Sequence, residues 1–147
     1  MEGDYHQLYT IFPAKKFDHI FFLEALGHSN NPKAVIKGAY DVLKDGGELY
    51  IKDYFGKLSL DPSIQQKIDE AILLTNDNFY YNTLELSELL DIIRATGFQL
   101  MYVRPPQYQN DSTEAKAFVK KYLKKIKNME AMDSYEIKVR KATNANP

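Results

Sequence analysis

The sequence predicts an α/β fold, and two observations carry that prediction. Residues 17–55 read as strand, helix, strand: F-D-H-I-F-F-L-E-A-L, a polar loop, an amphipathic helix, then Gly46-Gly47 and a second strand. Such a unit is a right-handed crossover in a parallel sheet. Downstream, a helix over residues 84–95 runs into a strand over 98–104, and an alternating stretch over 134–141 supplies another. The sum is a sheet of about four strands with flanking helices, the last strand antiparallel because its alternation is that of a half-exposed strand.

The first sixteen residues have little regular pattern and read as a loop. In the strand over 18–26, Ile20, Phe21, Phe22, Leu23, Ala25 and Leu26 put apolar groups on both faces, as in a parallel strand covered by helices on each side. Asn31-Pro32 opens the next helix, with Asn as N-cap and Pro at the first helical position. Val35, Ile36, Ala39 and Leu43 recur at helical spacing, and Gly46 is the expected stop. Residues 48–55 form the second strand, with Asp53 and Tyr54 at its carboxyl end.

Asp61-Pro62 caps a further helix, striped by Ile64, Ile68, Ala71 and Ile72, and residues 76–82 (N-D-N-F-Y-Y-N) read as a polar and aromatic loop. Thr83 is the expected cap of the 84–95 helix, whose Leu86, Leu89, Leu90 and Ile93 follow i, i+3, i+4, i+7, and Gly97 stops it. Pro105-Pro106 closes the strand over 98–104. Asp111 and Glu114 form a capping box for a helix over 113–127 with Phe118, Val119, Tyr122, Leu123 and Ile126 inward and lysines outward. Residues from 142 on are expected to fray.

Composition narrows the function. The 147 residues suit one domain. With 19 basic and 20 acidic residues the formal net charge is -1, which gives no electrostatic case for a nucleic-acid or membrane partner. The basic face of the 113–127 helix is therefore read as solvated. No cysteine is present, which excludes disulfides, thiolate metal sites and cysteine nucleophiles. No apolar run approaches the ~18 residues of a membrane span. The amino terminus lacks the basic and apolar regions of a signal peptide, so a cytoplasmic protein is the default. No H-x-x-x-H, G-x-S-x-G or G-x-x-x-x-G-K-[ST] pattern occurs, so neither a metal site nor a serine or phosphate-loop chemistry is expected.

In open α/β sheets ligands sit at the carboxyl ends of the strands. Glu24, His28 and Asp53 lie at or near those ends. An imidazole titrates near neutral pH and is a natural proton acceptor there, with Glu24 four residues earlier to orient it or to meet a cation. The structural alternative is that His28 merely hydrogen-bonds loop backbone. Phe79, Tyr80 and Tyr81 would enclose a small substrate or pack on the core.

Four motifs in order resemble a class I S-adenosylmethionine-dependent methyltransferase. They are Gly3-Asp4; Phe17-Asp18 leading to Glu24-Ala25-Leu26-Gly27-His28; Val42-Leu43-Lys44-Asp45-Gly46-Gly47; and Leu89-Leu90 through Thr96-Gly97-Phe98. The similarity is close over residues 3–98 and looser beyond. It implies a partial Rossmann-like methyltransferase sheet in the order first, second, fourth, third, and S-adenosyl-L-methionine as cofactor. It places Asp4, Tyr5, Leu23 and Glu24 at the cofactor, His28 and Glu24 in catalysis, and Asp53, Tyr54, Tyr80 and Tyr81 at a small-molecule methyl acceptor.

The family's Gly-rich turn after its first strand does not occur in this sequence; Gly46-Gly47 follows a helix instead. The expectation is the carboxyl-terminal part of the domain, as a truncated reading frame or one half of a split protein, inactive alone. The first strand then becomes a sheet edge, inviting a homo-oligomer or a separately supplied amino-terminal half. The alternative is a non-catalytic α/β assembly module derived from a methyltransferase.

Overall fold

The computed structural model describes residues 2–107 and 131–143. The helix expected over 113–127, its capping box and the fraying end beyond residue 143 lie outside the described residues. The sheet has four strands: β1 (Phe17–Leu23), β2 (Leu43–Gly56), β3 (Phe98–Arg104) and β4 (Met132–Lys141). Their order is β1-β2-β4-β3, with β1 parallel to β2 and β4 antiparallel to both of its neighbours. The expected topology is the observed one.

Helices α2 (Pro32–Val42) and α4 (Leu86–Thr96) cover one face of this sheet. Asn31 caps α2, its side-chain oxygen accepting from the Ala34 N–H at 3.1 Å. Val35, Ile36 and Ala39 meet Leu49, Ile51, Ile137, Val139, Leu89 and Ile93 in a single apolar core. Strand β2 alternates strictly, odd positions from Gly47 to Phe55 buried and even ones half-exposed. The opposite face therefore carries Glu48, Tyr50, Lys52, Lys138 and Arg140. Lys141 points into the covered side and donates to the carbonyls of Tyr40 and Leu43 at 2.7 and 3.0 Å, closing the carboxyl end of α2 with a cation.

Several expected boundaries move, each for a local reason. The first sixteen residues are not all loop: Asp4 caps a 3-10 turn at Tyr5–Gln7, which runs into the short helix α1 (Leu8–Ile11) on α2. Strand β1 stops at Leu23, because Glu24 adopts a left-handed conformation (φ 52°) and Leu26–His28 forms a 3-10 turn. Helix α2 ends at Val42 rather than at Gly46, since Leu43 is already extended and paired with Phe17. Gly46 (φ 77°) instead serves the register shift between the Phe17–Leu43 and His19–Glu48 pairs.

Helix α3 (Pro62–Phe79) swallows half of the expected 76–82 loop; Thr75 and Asn78 bond back to the carbonyls of Ala71 and Leu74 and so sit within a helix. Thr83 is not the cap of α4. Its hydroxyl donates to Asn76 and Glu85 holds the N-cap position. Strand β1 is also not covered on both faces. It lies at one sheet edge, pairs only with β2 among the described residues, and leaves Phe21 and Leu23 63% and 60% exposed.

Candidate functional site at the carboxyl ends of β1 and β2

The loop after β1 is held by three different parts of the chain. From the core side, Asp53 of β2 is 2% exposed and accepts from the Gly27 N–H at 2.9 Å, from the Tyr54 N–H at 2.8 Å, and from the Tyr81 hydroxyl. Burial, then the charge of Asp53, pushes the Tyr81 phenol far above its ordinary range, so it stays protonated and donates. The Tyr81 ring fills the space above Gly27, where a methyl group would overlap it. A glycine is needed there for close approach, not for a left-handed backbone.

The second anchor is the α3–α4 corner. Tyr80 adopts a left-handed conformation (φ 53°), and its carbonyl faces Nδ1 of His28 at 3.1 Å. The Asn82 N–H donates to the Gly27 carbonyl at 2.6 Å. The His28 and Tyr81 rings meet edge to face, centroids 4.9 Å apart at 87°. His28 itself is exposed.

The amino-terminal segment supplies the third anchor. The Tyr5 hydroxyl donates to the Ala25 carbonyl at 3.1 Å, and its ring packs near Phe22 and His6. Nδ1 of His6 lies 2.7 Å from Asp4, and Nε2 lies 2.7 Å from the Ser29 hydroxyl. The Asp4–His6–Ser29 connectivity is that of a nucleophile relay, but Ser29 is 2% exposed and already accepts from the Asn31 N–H at 3.0 Å. It ties down the loop. The sequence reading missed His6 and Ser29; the one local signal was the i, i+2 spacing of Asp4 and His6.

The residues singled out in the sequence thus fall into two groups. His28, Asp53, Tyr80 and Tyr81 come together where the α3–α4 corner meets the loop, Asp53 and Tyr81 buried and His28 and Tyr80 exposed. Glu24 turns to Lys52, its carboxylate paired at 2.6 Å, although its charge still adds to that of Asp53 in raising the Tyr81 phenol. Among the described residues no hydrogen bond joins Glu24 to His28. Tyr54 projects to the face opposite Asp53, as alternate strand residues must. A separate cleft of about 250 Å³ opens on the far sheet face between Phe21, Tyr50 and Tyr102, away from these loops. Among the described residues no group of three or more metal-ligating side chains converges, and no helix is long and apolar enough to cross a membrane.

Leu23 is exposed at the end of β1, while Glu24 is paired with Lys52 and Asp4 with His6.

Comparison with known proteins shows likeness to methyltransferases. A family model described as a methyltransferase domain matches residues 1–51. A sterol 24-C-methyltransferase of Neurospora crassa is 26% identical over 111 residues, 76% of this chain and 29% of that protein. A putative methyltransferase from Bacillus halodurans shares the fold with a TM-score of 0.65 at 20% identity, over 97% of this chain and 71% of its own. Phosphoethanolamine N-methyltransferase 2 of Haemonchus contortus, solved with S-adenosylhomocysteine, gives 0.61 at 17% identity, over 90% and 35%. The chain spans less than a third of the curated relative it matches. The ordered motifs and the match over residues 1–51 make the first third of the chain similar to a methyltransferase domain, and the four-stranded fold is one shared with solved methyltransferase structures.

Proposed function

We propose that this chain provides the acceptor side and part of the cofactor site of a small-molecule methyltransferase. The carrying observation is the convergence of three separate segments on the loop after β1, with an exposed imidazole, His28, at the carboxyl end of the sheet. Methyl transfer needs alignment of acceptor and donor, with a base where the acceptor must lose a proton. S-adenosyl-L-methionine would supply the activated methyl group.

In this reading Asp4, Leu23 and Glu24 meet the cofactor, while Tyr5 holds the loop they flank. His28 takes the acceptor's proton. Tyr80, 87% exposed, borders the acceptor together with Tyr54, while Asp53 and Tyr81 hold the border in place. The remainder of the cofactor site comes from across the β1 edge, from a second copy or a separately made amino-terminal half, and the chain alone is inactive.

The test is transfer of a labelled methyl group to a panel of small acceptors. No transfer is expected from the purified chain alone. Transfer should appear once a methyltransferase half bearing the Gly-rich turn is added, and fall at least about 100-fold in His28→Gln. Turnover by the chain alone as a monomer overturns the reading.

One observation favours the second reading, a non-catalytic assembly module. Asp4 accepts both the backbone and the ring N–H of His6, and Glu24 pairs with Lys52, so both acidic groups already have intramolecular partners. Association across β1 without any cofactor binding by the associated species would select that reading.

A further inference from the structure

The contact between His28 and the α3–α4 corner fixes a chemical detail of the imidazole. A carbonyl oxygen only accepts, so at 3.1 Å from the Tyr80 carbonyl Nδ1 must carry a hydrogen. The neutral ring is then the Nδ1–H tautomer, and the lone pair lies on Nε2. Among the described residues Nε2 makes no hydrogen bond. The orientation of the Tyr80 carbonyl is in turn set by its neighbours. Tyr80 is left-handed, the Tyr81 N–H donates to the Asn76 carbonyl at 3.1 Å, and the Tyr81 hydroxyl is held by buried Asp53. The Tyr81 ring also stands edge-on against the imidazole.

We propose that Asp53 and Tyr81 are positioning residues: by anchoring the Tyr80 carbonyl they hold His28 as its Nδ1–H tautomer, so that Nε2 is the atom that receives the acceptor's proton. The proposal rests on the reading of His28 as the proton acceptor. In the step it serves, the methyl carbon exchanges its bond to a sulfonium sulfur for one to the acceptor, and the S–C electron pair stays on sulfur. The acceptor's proton ends on Nε2. The cationic charge lost at sulfur appears on the imidazolium, whose Nδ1–H remains on the Tyr80 carbonyl. Neither Asp53 nor Tyr81 touches the reacting atoms.

Neither residue's role is legible as a motif. Asp53 reads as a strand-end carboxylate open to substrate, and only its burial and three donors turn it into a structural acceptor. The strained corner fits the same purpose. A left-handed tyrosine is disfavoured by sterics and persists where its surroundings over-determine it.

The experiment is long-range proton–nitrogen correlation NMR of the full chain labelled in histidine nitrogens, at a pH where the imidazoles are neutral. His28→Gln assigns the His28 signals. The proposal expects a protonated Nδ1 and an unprotonated Nε2 in the wild-type chain. It expects the tautomer ratio to fall about five-fold in Tyr81→Phe, the size of one lost hydrogen bond, and in the same direction in Asp53→Asn. Tyr81→Phe keeps the ring, so the fold is preserved while the anchor is cut. A wild-type ring protonated on Nε2, or an even mixture, overturns the proposal. An Nδ1–H ring unchanged in both variants overturns the role of Asp53 and Tyr81. Failure of the base reading looks different, with methyl transfer unaffected by His28→Gln while the tautomer stays as expected.

Discussion

The two faces of the sheet solve the same problem in opposite ways. On the covered face, Leu49, Ile51, Ile137 and Val139 are completely buried beneath α2 and α4. On the open face the residues between them pair with one another: Glu48 with Lys138 at 2.8 Å and Arg140 at 2.6 Å, and Glu136 with Arg104 at 2.9 Å. Three strands of the open face can thus stand in water. The fourth does not conform. On β1 the open-face positions are His19, Phe21 and Leu23, and the two apolar ones are largely exposed. On this face Phe21 and Leu23 lie along one of the two strands whose outer edge pairs with nothing among the described residues, the other being β3. The difference marks β1, rather than the open face as a whole, as the surface on which the proposed partner would dock.

The largest expected effect lies on the covered face. Ile51→Ala should cost about 2–5 kcal/mol in chemical unfolding, against less than about 1 kcal/mol for Lys138→Ala one strand away on the open face. Equal losses would dissolve the contrast. Next comes the node that joins the covered face to the site. Gly27→Ala forces a methyl group into the Tyr81 ring and should destabilise by about 1–3 kcal/mol. Paired with Tyr81→Ala, which removes that ring, the two losses should fall short of their sum.

The exposed strand is tested by Leu23→Lys. It should abolish concentration-dependent association in sizing while changing stability by no more than about 0.5 kcal/mol. Undiminished association moves the interface elsewhere. The smallest effect is the acid response of the open face. Hydrogen bonds from Lys138 and then Arg140 hold the Glu48 carboxyl below its ordinary range. A depressed carboxyl stabilises the fold above its unfolded pKa, about 4.3, and that contribution is lost as pH falls through the lower folded value. Glu48→Gln should therefore flatten the fall in stability below about pH 4.3, by under about 1 kcal/mol. An unchanged acid limb would remove Glu48 from the account.

Much of this was readable in the residues, and the reasons are specific. Asn31-Pro32 and Asp61-Pro62 mark their helix starts through chemistry local to the cap, and both function as read. The alternation of β4 gave its antiparallel place, although pairing with β2 carries it back to Met132. What local pattern could not reveal was set by distant partners. Helix α3 runs on through Asn76 and Asn78 because their side chains find bonds in the folded chain. Leu43 leaves α2 because Phe17 pairs with it. The site shows the same division. Glu24, His28 and Asp53 were legible as strand-end residues, but the sequence contains nothing that sends Glu24 to Lys52 rather than to His28. Nor does it show that Asp53 would be sealed beneath Tyr81.

The most direct test of the central claim is calorimetric titration of the purified chain with S-adenosylhomocysteine, beside a sizing series at the same concentrations. If the cofactor site is completed across β1, the monomer gives no binding heat. Micromolar binding then appears only in the associated species, and Leu23→Lys removes it. Micromolar binding by a chain that stays monomeric throughout would contradict the account, since the site would then be complete without anything docked on that edge.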